Sequence, residues 1–124
     1  VSYHQRFRSA IEAGDLDAAV ALFDPGVRFL SPVVHRPYQG REALRRILGA
    51  AFTVFEGFHY VAEYGGCSGH VLEFRASVAG LRLDGVDILR GDPDGPPTEL
   101  AVLVRPYSAA TELKERMGAL LASR

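Results

Sequence analysis

Apolar residues recur along this chain with two different periods, and the switches between them mark out its elements. Tyr3, Phe7, Ala10 and Ile11 form a helical stripe within 2–13, at the three-and-four spacing of a helix with one buried face. Ser2 and Gln5 have the spacing of a capping box, and Gly14 ends the helix. Asp15 caps a second helix whose stripe is Leu16, Ala19, Val20 and Phe23, stopped by Asp24-Pro25-Gly26. A two-residue alternation then predicts a short strand from Val27 to Pro32, followed by an irregular arm or brief second strand from Val33 to Gly40. The helical period returns from Arg41 to about Phe55 through Leu44, Ile47, Leu48, Ala51, Phe52 and Phe55.

Four strand candidates follow: Phe58 to Tyr64, His70 to Ala79, Leu81 to Arg90, and Glu99 to Tyr107. In the second, Leu72, Phe74, Ala76 and Val78 share one face, opposite Glu73, Arg75 and Ser77. Gly91-Asp92-Pro93-Asp94-Gly95-Pro96-Pro97 suits only an exposed hairpin loop. From Ser108 to Arg124 a last helix is predicted, with Ala110, Leu113, Met117, Leu120 and Leu121 along one stripe. Helices followed by a meander give an α+β fold, in which a curved antiparallel sheet wraps three N-terminal helices into a cone. One domain over 1–107 is expected, with the helix of 108–124 packing on it or adding to a dimer contact.

Composition narrows the function classes. The chain has 124 residues, 48% of them hydrophobic, with 14 basic and 15 acidic side chains. That suits a single core. It argues against nucleic acid as a partner, because phosphate-backbone binding needs a clustered positive field. Cys67 is the only cysteine, so no internal disulfide forms. No run is long and apolar enough to cross a bilayer and no signal peptide is read, so the expected location is cytoplasmic, with no membrane partner.

The sharpest candidate for chemistry is Asp87. Alternation places it on one strand face with Leu81, Leu83, Gly85 and Leu89. A carboxylate on an apolar face must be hydrogen-bonded, paired or protonated, and burial raises its pKa into the range of a general acid or base. Arg105 shares parity with Ala101, Leu103 and Tyr107. If that face is inward, Arg105 is a partner for Asp87 or an anchor for an anion, and Tyr107 joins it. If Val102 and Val104 are inward instead, Arg105 meets solvent. His35 and Tyr38 flank Arg36-Pro37 in the arm, where His35 could exchange a proton near neutral pH. Ser31 and Tyr60 offer hydroxyls, while Phe7, Phe52, Phe55 and Phe74 are mostly expected inward, as core or as pocket wall. His4, His59, His70 and Cys67 show no metal-ligand spacing, and Gly65-Gly66-Cys67-Ser68-Gly69 lacks the Lys and helix of a phosphate loop. Neither metal nor cofactor is expected.

The joint Ala13-Gly14-Asp15-Leu16-Asp17, the helix end Leu22-Phe23-Asp24, the Val27 strand, the helix start Tyr38-Gln39-Gly40-Arg41-Glu42-Ala43-Leu44 and the strand Gly85-Val86-Asp87-Ile88-Leu89-Arg90 together resemble the nuclear-transport-factor-2-like superfamily, and within it the SnoaL-like domains. The resemblance spans most of Phe7 to Tyr107. It implies a cone-shaped pocket open at one end and a homodimer through the sheet. The superfamily holds steroid isomerases, polyketide cyclases, epoxide hydrolases, dehydratases and non-enzymatic binding domains, so the fold alone does not name the activity. In the steroid-isomerase pattern the oxyanion-donating Tyr of the first helix corresponds to Phe7, the proton-abstracting Asp to Ser31, and the second oxyanion donor to Asp87. In the limonene-epoxide-hydrolase pattern one acid corresponds to Asp87, the bridging Arg to Gly85 and the second acid to Pro106. In the cyclase pattern Asp87 is the acid, and no His is matched to it. One member of each set is therefore present, which argues against the steroid-isomerase chemistry in its family form. The expectation is a pocket for a small hydrophobic or weakly polar molecule whose activity the sequence leaves undetermined, with cofactor-free acid–base chemistry of isomerase, cyclase, dehydratase or hydrolase type as the catalytic reading. Asp87 is its centre, His35 and Arg105 assist, and Ser31, Tyr38, Tyr60, Tyr107, Phe7, Phe52, Phe55 and Phe74 contact the ligand. The alternative is a non-catalytic binding or dimerisation domain.

Overall fold

In the computed structural model, which describes residues 2–122, the first helix, α1 (Tyr3–Glu12), starts with the capping box its spacing predicts. The Ser2 hydroxyl accepts from the Gln5 N–H at 3.4 Å while the Gln5 side chain accepts from the Ser2 N–H at 3.3 Å. Asp15 caps α2 (Leu16–Ala21) by accepting from the Ala18 N–H at 3.1 Å. The two short helices bury Phe7, Ala10, Ala19 and Val20, and Phe23 just after α2 is buried with them. Arg41 opens α3 (Arg41–Val54) and donates from Nε to the Phe23 carbonyl at 2.9 Å and from its terminal nitrogen to the Ala21 carbonyl at 3.3 Å. Carbonyls at the end of α2, left without helical partners, are thus satisfied by the first residue of α3. In the sequence Arg41 reads as part of an ordinary solvated helix face; its contacts make it a clamp.

One six-stranded sheet follows the order β2–β1–β6–β5–β4–β3, built from β1 (Arg28–Leu30), β2 (Tyr38–Gln39), β3 (Glu56–Gly66), β4 (Gly69–Val78), β5 (Leu81–Arg90) and β6 (Glu99–Arg105). The chain ends its described part in α4 (Tyr107–Ala122). The arm after β1 does hold a second strand, of two residues. The meander from β3 to β6 is antiparallel as expected. The pairing of β1 with β6 is parallel, with Phe29 opposite Leu100, so the sheet is mixed. Alternation fixes which face a residue takes and carries no information about the direction of its neighbour. The register of β3 shifts between Glu56 and His59 and between Tyr60 and Ala62, irregularities of the kind that bend and twist a strand. They help curl the sheet around the helices.

The concave face of the sheet carries Leu72, Phe74, Ala76, Val78, Leu83, Leu89 and Leu100, all buried. α4 packs on the same core through Ala109 and Leu113. On β6 the inward set is Leu100, Val102 and Val104, while Leu103 and Arg105 are exposed. Among the described residues no helix is long and apolar enough to cross a membrane.

Candidate active site

Between the helices and the concave face lies a cavity of about 650 Å³, well inside the size range of small-molecule sites. Its inner wall is aromatic. Phe58 lies 4.7 Å from Phe74 and 5.1 Å from Tyr60, centroid to centroid, and Phe55 lies 5.7 Å from Phe58. Gly85 explains how Phe74 fits there: a Cβ at Gly85 would overlap the Phe74 ring and crowd the Leu103 carbonyl. Where a longer side chain would stand two residues before Asp87, the chain places the edge of a ring.

Asp87 lines this cavity and is the buried polar residue of the core, 7% exposed. Tyr60 donates to its Oδ2 at 2.7 Å. No other hydrogen bond or ion pair reaches Asp87 among the described residues, so Oδ1 is left for whatever occupies the cavity. Burial pushes the Asp87 carboxyl up to about 7, and the Tyr60 hydrogen bond offsets part of that rise. The Tyr60 hydroxyl is driven upward in turn, first by burial and then by the neighbouring carboxylate, so it stays a donor. On its other side the Tyr60 ring carries the Arg8 guanidinium, 5.6 Å from the ring centroid. Arg8 is held by Glu12 and Glu63. The result is a carboxyl near half-protonation at neutral pH, in an apolar wall, held by a tyrosine that is itself held in place. Such a group can give or take a proton at Oδ1 without a metal or cofactor.

The other residues singled out in the sequence divide into two groups. Phe7, Phe52, Phe55, Phe74, Tyr38, Tyr60 and Ser31 all line the cavity. The Ser31 oxygen accepts from the N–H groups of Val33 and Val34, at 3.0 and 3.1 Å, so it turns the chain at the rim and keeps its own hydrogen to donate. Arg105, Tyr107 and His35 lie elsewhere. Arg105 points out from the convex face and pairs with Asp84 at 3.0 Å, because β6 turns Val102 and Val104 inward; it makes no contact with Asp87. Tyr107 is 87% exposed where α4 begins. His35 is exposed in the arm and does not line the cavity. Further contributors carry no mark of a site in the sequence. Glu12 and Lys114, both exposed, line the cavity where it meets solvent, and Met117, Gly118 and Leu121 bring α4 into its wall. The stripe Leu113, Met117 and Leu121 was the available signal, since an apolar helix face must cover something.

His4 stacks on His70 with ring centroids 3.6 Å apart, beside a smaller depression that includes Cys67. Among the described residues no group of three or more His, Cys, Asp or Glu side chains is placed to hold a metal ion.

Comparison with known proteins places this geometry in context. A family model described as a SnoaL-like domain matches residues 4–100. A steroid delta-isomerase from Pseudomonas aeruginosa is 36% identical, with 98% of this chain and 90% of that one covered and a TM-score of 0.90. A Silicibacter pomeroyi protein described as having a cystatin-like fold is 28% identical over 97% of this chain and 85% of that one, with a TM-score of 0.90. A putative isomerase from Bacillus subtilis, 15% identical over 90% of each chain with a TM-score of 0.69, shares the fold. No curated protein sequence matches.

Proposed function

The chain belongs to the SnoaL-like domain family, and we propose that it binds a small, largely apolar carbonyl compound and moves a proton on it with Asp87, without a cofactor. The observation that carries this reading is Asp87 itself: a carboxyl held near neutrality on the wall of an apolar cavity, with one oxygen bonded to Tyr60 and the other unpartnered. In the reaction the Asp87 carboxylate takes a proton from the carbon beside the carbonyl, and the electron pair delocalises onto the carbonyl oxygen. The Ser31 hydroxyl donates to that oxygen. Asp87 then returns the proton further along the conjugated system. Tyr60 keeps the carboxyl oriented throughout. The likeness to a steroid isomerase makes a β,γ-unsaturated ring ketone the natural first substrate.

The test is to supply such a ketone and follow the absorbance of the conjugated product. Asp87→Asn is expected to lower kcat/KM by at least about 100-fold, in line with loss of a general base. For the wild type, kcat/KM should rise with pH through about 7 as Asp87 ionises. Tyr60→Phe removes a bond that favours the ionised form, so the midpoint should move to higher pH. Tight binding with no turnover would instead support a non-catalytic binding protein. In the same reading the chain pairs as a homodimer through the convex face, where Val61, Tyr64 and Leu103 are exposed. Leu103→Glu should then halve the mass seen by light scattering. A cytoplasmic location fits the lone Cys67.

A further inference from the structure

Three charged side chains line the cavity: Asp87 deep in the wall, and Glu12 and Lys114 at the solvent end. The last two differ in what surrounds them. Glu12 is taken up by Arg8, at 3.1 Å, in a cluster that also includes Glu63. The Lys114 side chain has no ion pair or hydrogen bond to any described residue. One helical turn after it, Gly118 lines the same cavity, and a Cβ there would meet nothing within 4 Å. Glycine weakens a helix interior, and the space beside this one, a helical turn from Lys114, is open. Met117 and Leu121, beside it on α4, are apolar and also face the cavity. Among the described residues the rim of the cavity therefore offers the Lys114 ammonium without an ion partner beside open space, and the interior offers apolar wall.

Resting on the pocket reading above, we propose that the ligand is an amphipathic anion, whose apolar body fills the cavity and whose carboxylate or similar head group stays at the mouth on Lys114, in the space that Gly118 leaves. Entry head-first is opposed by Asp87, which repels a second negative charge wherever it is itself ionised. Body-first entry leaves the head hydrated and paired, which avoids the cost of burying a charge. It also sets the register of the body against Asp87, so the length between head and reacting carbon becomes a selection criterion.

The probes are decanoate and decan-1-ol, matched in chain length and titrated calorimetrically at low salt into the wild type, Lys114→Ala and Lys114→Glu. The readout is the ratio of the two affinities within each protein, which cancels general effects of a substitution on the cavity. The wild type is expected to favour decanoate by about fivefold, the scale of a solvent-exposed ion pair, and to lose that preference as salt is added. Lys114→Ala should bring the ratio near one, and Lys114→Glu should reverse it. Equal affinities in the wild type, or a preference for the acid that survives in Lys114→Ala, would overturn the assignment of the head group while leaving the pocket intact. Failure of both probes to bind a wild type that still binds the ring ketone would overturn this inference alone, and failure of the ketone as well would overturn the pocket reading with it.

Discussion

Two aspartates three residues apart on β5 meet opposite fates. Asp87 faces the helices, is buried, and among the described residues its carboxyl has Tyr60 as its one hydrogen-bond partner. Asp84 faces away and accepts from two arginines, Arg75 at 3.2 Å and Arg105 at 3.0 Å, with Glu73 continuing the ladder through Arg75 at 2.7 Å. The residue type is the same and the strand is the same. The odd spacing between them puts one on each face of the sheet, and the face decides whether the carboxylate has cations within reach. On the convex side the charges are matched and partly solvated, so no carboxylate of this ladder is left without a cation beside it. On the concave side a charge has been left without a counter-ion, an arrangement that costs stability and that a purely structural core would avoid.

The largest effect should come from removing what covers the concave face. A chain ending at Tyr107 loses Ala109 and Leu113 from the core and α4 from the cavity wall. The expected outcome is loss of folded, soluble protein; an unchanged melting temperature would mean that α4 is an appendage.

Next comes the cost of the unmatched charge. Folded Asp87 keeps its proton up to about pH 7, against 3.8 for the free side chain. The stability its neutral form contributes is therefore complete below pH 3.8 and is lost as pH rises through about 7. That difference amounts to about 4 kcal/mol at most. Asp87→Asn stays neutral and can still accept from Tyr60, so it should be more stable than the wild type, with a gap in melting temperature that widens from acid to about pH 8.5. A constant gap across that range would show that Asp87 is not ionising inside the fold.

The smallest effect belongs to the convex partner. Asp84→Asn leaves Arg75 still paired with Glu73, and pairs this exposed contribute under about 1 kcal/mol. A larger loss in a denaturant titration would make the outer ladder a real determinant of stability and erase the contrast between the faces.

The contrast also marks what could be read from the sequence. The face of Asp87 was legible because Leu83 and Leu89 alternate cleanly around it. The face of Arg105 was not. Leu100, Ala101, Val102, Leu103 and Val104 are all apolar, so the run has no period, and the preference of arginine for solvent decided its orientation. The bond between Tyr60 and Asp87 was out of reach for a different reason. Both residues read as inward, but joining them depends on two hairpin registers and on the irregularity after Tyr60, none of which leaves a mark in composition. The elements themselves were legible throughout, because caps, glycines and prolines fall where the periods change. Lys114 escaped notice because a lysine beside an apolar helical stripe looks like any solvated residue until the stripe is found to face a cavity.

The parallel pairing of β1 with β6 has a consequence for the order of assembly. The strands β3 to β6 join neighbours through short hairpins, so their contacts close small loops and form early. β1 pairs locally with β2, but the β1–β2 pair joins the rest of the sheet only through β6, about seventy residues downstream, with Arg28 beside Glu99. The arm it anchors, with Ser31 and Tyr38, then comes to rest on a sheet already made. The rim of the cavity is thus the last part to form, and by the same account the first to come loose. Amide exchange at Phe29 should outpace exchange in β4 and β5 if so, and the way into the cavity would then be set by how readily this late-docking edge lets go.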